Sequence, residues 1–395
     1  MRTLFDELGF EAEARFESAG RSSAGFTDIA AALLRDGALQ GQLSLSALWA
    51  AAAEGALGGL GDMSKPGLIP LFNGAHVRIY GHLWSDAADR LHQHDWAGAF
   101  QVIEGQSFNS GFDFDPQGEV GEFTLGQLRR RSFEVFDAGH VQPVQEGPSL
   151  IHSVVYPGKP GLAISLRVAG QGPKGAVEYL RPGLRCPSHR RRGDSAAQID
   201  LLAQALQVDE EIYCERFVAL AGALEEAALI RLLDAAAFDS LPLPDAVVEG
   251  ALDRLPDGRH VLAALDDIER SDKTRELLGE HDHPKIRAFV CALFHSEGRG
   301  ELSETLRIAG FAHPVIDAGR ALSALVVDDE SGDLPPDHLV QALGEAALTG
   351  DTVAAIGAMR ARAPDARDID THSDFISEAF EAMKEAPIFR CLFKA

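Results

Sequence analysis

The sequence predicts an α+β protein with a central antiparallel β-barrel, an N-terminal helical segment and a large C-terminal α-helical domain. Three observations predict it. Over residues 1–62, Leu, Ile and Ala recur at the three- and four-residue spacing of amphipathic helices. The chain then changes to short runs rich in Val, Ile, Phe and Tyr, separated by Gly, Pro, Asp and Asn. Many short strands at even spacing suggest a sandwich or barrel. From about residue 195 the helical period returns. The expected divisions are 1–62, 63–185 and 195–395.

In the first zone, FTDIAAALLRDGAL and LSALWAAAAEGAL carry the helical stripe, with Ser44 or Ser46 suited to cap the second. ALGGLGDMSKPG then breaks it with glycine and proline. The strand-like runs of the second zone are HVRIYGHLW, GAFQVIEGQSF, FEVFDAG, SLIHSVVYP and GLAISLRV. In the third zone, segments such as CERFVALAGALEEAALIRLLDAAAF and KIRAFVCALFH are amphipathic, with turn signals such as LPLPD and LPPD between them. No fixed repeat period is visible, so a known α-solenoid is not supported and an orthogonal bundle is expected.

Composition bounds the function. With 395 residues and 46% hydrophobic side chains there is enough apolar material for two or three cores. No run of about 18 apolar residues is present, so no membrane span is expected. The segment MRTLFDELGFEAEARF lacks the basic start and apolar block of a secretory signal, so a cytoplasmic location is expected. Cys186, Cys214, Cys291 and Cys391 are scattered, as reduced thiols are, rather than clustered as in a disulfide framework or zinc knuckle. The net charge is −24, most of it in the third zone. Such a surface repels nucleic acid and anionic lipid, and neither is expected as a partner. The acidic helices could instead serve as a homodimer or protein-docking surface. The basic knot RCPSHRRR, Arg185 to Arg192, reads as a solvated linker in preference to an anion contact.

The chemistry is concentrated in RLHQHDWAGAFQVIEG. His92 and His94 are two apart. On a strand their imidazoles share a face, whereas on a helix they diverge by about 200°. His152 opens a later strand-like run, GPSLIHSVVYP, and a barrel can bring it to the same point. Imidazole suits iron, zinc, copper or nickel, and three such ligands leave positions open for catalysis. The bland alternative is three unrelated histidines or a barrel without metal. HDHP at 281–284 repeats the spacing, but no third ligand accompanies it, and Asp282 before Pro284 reads as a helix cap.

Residues 70–170 resemble the cupin superfamily. Its first motif is an HxH, then an acidic residue, then a glycine ending the strand. Here Gly105 ends that strand and the acidic position falls on Gly98. Its second motif matches Gly139, Gly147 and His152, with two extra residues before the histidine. The resemblance implies a double-stranded β-helix with a three-histidine metal site. Glu104 is a possible substitute ligand at the far end of the strand. Within the superfamily, GPSLIHSVVYPGKPGLAISLRV is similar to the third-ligand region of cysteine dioxygenase and other thiol dioxygenases. That family's Ser–His–Tyr relay falls on Ser165, Arg167 and Ala169, so only the serine is kept. Its upstream carboxylate-binding arginine has no clear counterpart; Lys65 is near in sequence but its surroundings do not match.

Arg167 then becomes the candidate for holding a substrate carboxylate, with a structural salt bridge as the alternative. Tyr156 and Ser165 are candidate pocket hydroxyls, and Trp96 and Phe100 candidate apolar wall. His140 is a loop residue or a base near the site. Arg78, Tyr80 and His82 share one face of their strand, which is either its solvent face or the barrel mouth. The function expected is a mononuclear non-haem iron(II) oxygenase or dioxygenase using O₂ and a small polar, metal-chelating substrate. The alternatives are a ligand-sensing or partner-docking module without catalysis, and an isomerase or hydrolase using zinc, manganese, nickel or another divalent metal.

Overall fold

The computed structural model describes residues 2–37, 39, 41–53, 68–84, 88–158, 161–169, 177–187, 195–326, 337–362 and 369–394. The glycine- and proline-rich break, Lys65, and most of the LPPD turn and of the basic knot lie outside these residues. The chain divides into two compact units, Met1–Ser132 with Phe136–Glu269, and Phe133–Val135 with Arg270–Ala395.

The first unit begins with three helices, α1 (Arg2–Ser18), α2 (Ser23–Asp36) and α3 (Leu45–Ala53). Ser44 caps α3, its hydroxyl accepting from Ala47 N at 3.1 Å. The strands follow: β1 (Leu68–Asn73), β2 (Val77–Trp84), β3 (Ala88–His94), β4 (Trp96–Glu104), β5 (Gln106–Val120), β6 (Phe123–Asp137), β7 (Val141–Val144), β8 (Gly147–Val155), β9 (Gly161–Ala169), β10 (Val177–Leu180) and β11 (Leu184–Cys186). They form a five-stranded sheet in the order β1-β2-β9-β4-β7 and a closed barrel in the order β10-β11-β6-β5-β8-β3. The antiparallel β-barrel expected from the alternating runs is present.

Strand alternation decides what each face does. Val77 and Ile79 of β2, Ala97, Ala99 and Ile103 of β4, and Leu162, Ile164, Leu166 and Val168 of β9 point to one side of the sheet. There they pack against Phe5, Ala12, Phe16, Phe26, Ala30 and Leu34 of α1 and α2. Burying these apolar faces, at about 25 cal/mol per Å², fixes the sheet's orientation. The opposite face is thereby left to Arg78, Tyr80, His82, Ser165, Arg167 and Trp96. Glu13 pins α1 to the sheet: its Oε1 accepts from His76 N at 2.7 Å and Val77 N at 3.1 Å.

Five helices complete this unit: α4 (Ala196–Val208), α5 (Glu210–Ala223), α6 (Glu226–Phe238), α7 (Asp245–Arg254) and the first half of α8 (Gly258–Glu280). Their core includes Phe217, Leu233 and Ile268, continuous with Phe123, Leu180 and Leu184 of the barrel. Asp267 of α8 forms a buried ion pair with Arg181 at 2.8 Å, the two side chains being 5% and 4% exposed.

The second unit holds the rest of α8 and six further helices, α9 (Pro284–His295), α10 (Arg299–Ile308), α11 (Pro314–Val326), α12 (Asp337–Thr349), α13 (Thr352–Arg362) and α14 (Ile369–Glu385). Arg270 donates to the carbonyls of Leu293 (2.8 Å), Phe294 (2.9 Å) and Ser296 (2.5 Å), closing the C-terminal end of α9. The α9 cap is His283 rather than the expected Asp282, because Pro284 takes the first helical position. No helix among the described residues is long and apolar enough to cross a membrane.

Candidate metal centre

His92 and His94 lie on β3, so the extended backbone that their spacing requires is present. His152 lies on β8, hydrogen-bonded beside β3, with His92 directly opposite it. His94 pairs with Gly147 instead of a residue near 150, so the register slips between the two histidines. The extra residues of the GPSLIH segment are taken up in that slip. The ring centroids of His92, His94 and His152 are 4.7, 4.8 and 5.0 Å apart. One nitrogen from each lies within 4.8 Å of the others.

The donor set suits a divalent metal. His94 Nε2 and His152 Nε2 are 2.9 Å apart. Two nitrogens each about 2.1 Å from a shared ion, at a right angle, stand about 3.0 Å apart. His92 Nδ1 is 2.8 Å from the Arg90 carbonyl, to which it donates as a protonated nitrogen, leaving Nε2 as the free lone pair. Burial holds His94 well below the ordinary histidine pKa, reinforced by repulsion from His92, His152, Arg167 and His82. Burial likewise depresses His152, with His92 adding to the effect. Both rings are therefore neutral at pH 7, the form that ligates metal.

Gly98, where the resemblance read from the sequence would place an acidic ligand, has no room for one. Its φ is +156°, and an added Cβ would sit 2.0 Å from the Leu166 carbonyl oxygen and 2.9 Å from Arg167 Cα, both on β9. Glu104 does not substitute for it. A register shift between Val102 and Glu104 breaks the alternation that would have aimed it inward. Its Oε2 instead accepts from Leu45 N at 3.2 Å, at the start of α3. His140 stacks on Phe136, centroids 3.7 Å apart, and is not in the three-histidine group.

Arg167 comes close enough to His94 for its charge to be felt there. Its guanidinium lies 3.9 Å over the Tyr80 ring and 5.4 Å from the centroid of Trp96, and Trp96 in turn contacts His94 at 4.6 Å. Burial lowers the Arg167 pKa, opposed by Tyr80 and Asp95, and the guanidinium remains a cation at neutral pH. Ser165 Oγ is 2.8 Å from His82 Nε2. The histidine partner of this serine thus comes from the neighbouring strand β2, not from two positions along β9. Tyr156 is buried and stacks on Trp84 at 5.0 Å, which stacks on His82 at 5.7 Å. Burial and the charge of Asp89 push the Tyr156 phenol well above its usual range.

Sequence alone placed Arg78, Tyr80 and His82 on one face without choosing which way it turned. The discriminating signal was present in Val77, Ile79 and the α1–α2 stripe, which have to meet each other. The pairing of His82 with Ser165 and of Arg78 with Arg167 depends on β2 lying beside β9, which no local pattern encodes.

No protein-family model matches this chain, and no curated protein matches it. Among solved structures, the chain is similar to oxalate oxidase from work on that enzyme's mechanism, at 17% identity over 42% of this chain and 78% of that one, with a TM-score of 0.22. It is similar also to recombinant oxalate oxidase in complex with glycolate, at 17% identity over 42% and 79% of the two chains, with a TM-score of 0.21.

Proposed function

We propose that this chain is a mononuclear non-haem iron(II) oxygenase of cupin double-stranded β-helix architecture, acting on a small polar, metal-chelating substrate. The observation that carries this reading is the meeting of three histidines, with His94 and His152 neutral, from β3 and β8, with a glycine where a carboxylate ligand would stand. His92, His94 and His152 would hold the metal. Iron(II), when bound, supplies redox chemistry and open coordination positions for substrate and O₂.

The remaining work belongs to the side chains. His152 is buried and His92 and His94 are half-buried, which limits water at the site and strengthens charge interactions there. Arg167, its face against Tyr80, presents guanidinium N–H groups to an anionic substrate group and fixes its position. Ser165 Oγ orients His82, which can hold or release a proton at Nε2. Tyr156 and Trp84 extend an apolar wall beyond His82. A small-molecule substrate in a cytoplasmic setting, with the acidic helices serving as a homodimer or partner surface, completes the proposal.

The test is metal analysis and oxygen-electrode recording on protein loaded anaerobically with iron(II), using a panel of chelating thiols, enols and catechols. Wild type should hold one iron per chain and consume O₂ with at least one member of the panel. His152→Ala should lose the iron, whereas His140→Ala should keep it. One iron per chain with no O₂ uptake would count against the oxygenase, leaving a sensing module or, if zinc, manganese or nickel supports turnover, an isomerase or hydrolase.

A further inference from the structure

Arg78 and Arg167 are direct cross-strand partners on β2 and β9. Leu166, Val168, Val77 and Ile79 face the helices, so both guanidinium stems leave from the opposite face, the one that carries His82 and Ser165. Side chains directly opposed on antiparallel strands have Cβ atoms about 4.5–5.5 Å apart, and like charges there repel. Among the described residues, neither arginine makes a salt bridge or hydrogen bond to a carboxylate; the Arg167 ring contacts are with Tyr80 and Trp96. Asp95 acts on Arg167 only as a nearby charge. Gly98, the residue on the other side of Arg167, adds no side chain to fill the space.

A half-buried pair of cations without a carboxylate is costly in the protein alone. Tyr80 covers the flat face of Arg167 and takes a hydrogen bond from it; a guanidinium carries five N–H donors, so others remain to bind a carboxylate in a two-bond fork. Arg167 is close enough to His94 for its charge to be felt there, and Arg78 stands directly opposite Arg167 on the neighbouring strand, so the pair lies beside the histidines.

We propose that Arg78 and Arg167 form a two-anion subsite beside the three histidines. Its ligand is a small acid with two anionic groups, one on each guanidinium, and a chelating end toward the imidazoles. The orientation of the chelating end rests on the metal-site reading; the anion subsite itself does not.

Binding of malonate and acetate to metal-free protein at constant ionic strength, by calorimetry, separates the two ideas. Malonate should bind wild type at least about tenfold more tightly than acetate. Loss of one charge-assisted contact weakens binding by a factor of about 10–100, so Arg78→Met and Arg167→Met should each lose malonate affinity by that factor. Arg131→Met, at an exposed ion pair with Asp113, should bind malonate as wild type does. Arg167→Lys keeps the cation without the fork and should fall between wild type and Arg167→Met, which keeps the test decisive if Arg167→Met fails to fold. Equal affinity for malonate and acetate, or malonate binding unchanged in Arg78→Met, would overturn the subsite. Protein that binds malonate through both arginines yet takes up no iron would instead sink the metal reading alone. Protein that takes up iron but shows no preference for malonate would sink the subsite alone.

Discussion

Replacing Gly98 with alanine should destabilise the protein severely, because β4 and β9 are too close there for any side chain. An alanine Cβ would lie 2.0 Å from the Leu166 carbonyl oxygen, whereas carbon–oxygen contacts between strands are ordinarily about 3.3–3.6 Å. Relieving the overlap means parting the strands by more than an ångström or breaking the Gly98–Arg167 register. Overpacking of this kind costs about 1–3 kcal/mol, and a non-glycine residue at φ +156° adds about 1–3 kcal/mol. A total near 4 kcal/mol corresponds to a Tm lower by about 8–16 °C, at about 2–4 °C per kcal/mol for a domain of this size. Circular dichroism of metal-free wild type and Gly98→Ala measures it. A Tm within about 2 °C of wild type would refute the account of why this site has no carboxylate. The companion variant Gly98→Glu should be equally unstable and should gain no metal affinity; a folded Gly98→Glu that binds iron more tightly would show that the position accepts a ligand after all.

Other expectations follow from single contacts. Backbone hydrogen bonds from His76 and Val77, helped by the charge of His76, outweigh burial and hold the Glu13 carboxyl below its usual 4.5. A depressed folded-state pKa means that its stabilisation is present above pH 4.5 and disappears as pH falls through the lower folded value. Glu13→Gln should therefore lower Tm at pH 7 and flatten the wild-type decline below pH 4.5; parallel curves would refute the role given to α1 anchoring. Asp267→Ala removes the carboxylate paired with the buried Arg181 and should cost about 3–5 kcal/mol in denaturant unfolding, while a loss below about 1 kcal/mol would deny the ion pair its importance. Burial pushes the Cys391 thiol up to about 12 and raises those of Cys291 and Cys186 as well, so native protein should show one fast-reacting thiol, Cys214, in a colorimetric titration. Two or more fast thiols would indicate that the cores open readily.

Local patterning was enough to give the α+β class, the strand zone and the three histidines of the candidate centre. The reason is that these rest on short-range periodicity. A two-residue repeat puts His92 and His94 on one face whichever strand lies beside them, and a four-residue stripe makes α2 amphipathic without reference to its partner. Even the glycine at 98 was visible as a missing carboxylate.

Tertiary structure alone decided what surrounds those histidines. The shift between Val102 and Glu104 sends Glu104 to the start of α3, although alternation counted from Gly98 aims it inward. The pairing of β2 with β9 gives Ser165 its histidine from another strand and sets Arg78 against Arg167. The slip between β3 and β8 brings His94 within 2.9 Å of His152. Each is a question of register between segments far apart in the chain. Register is chosen by the burial of whole strand faces against α1 and α2, a cooperative term that no single window of sequence contains.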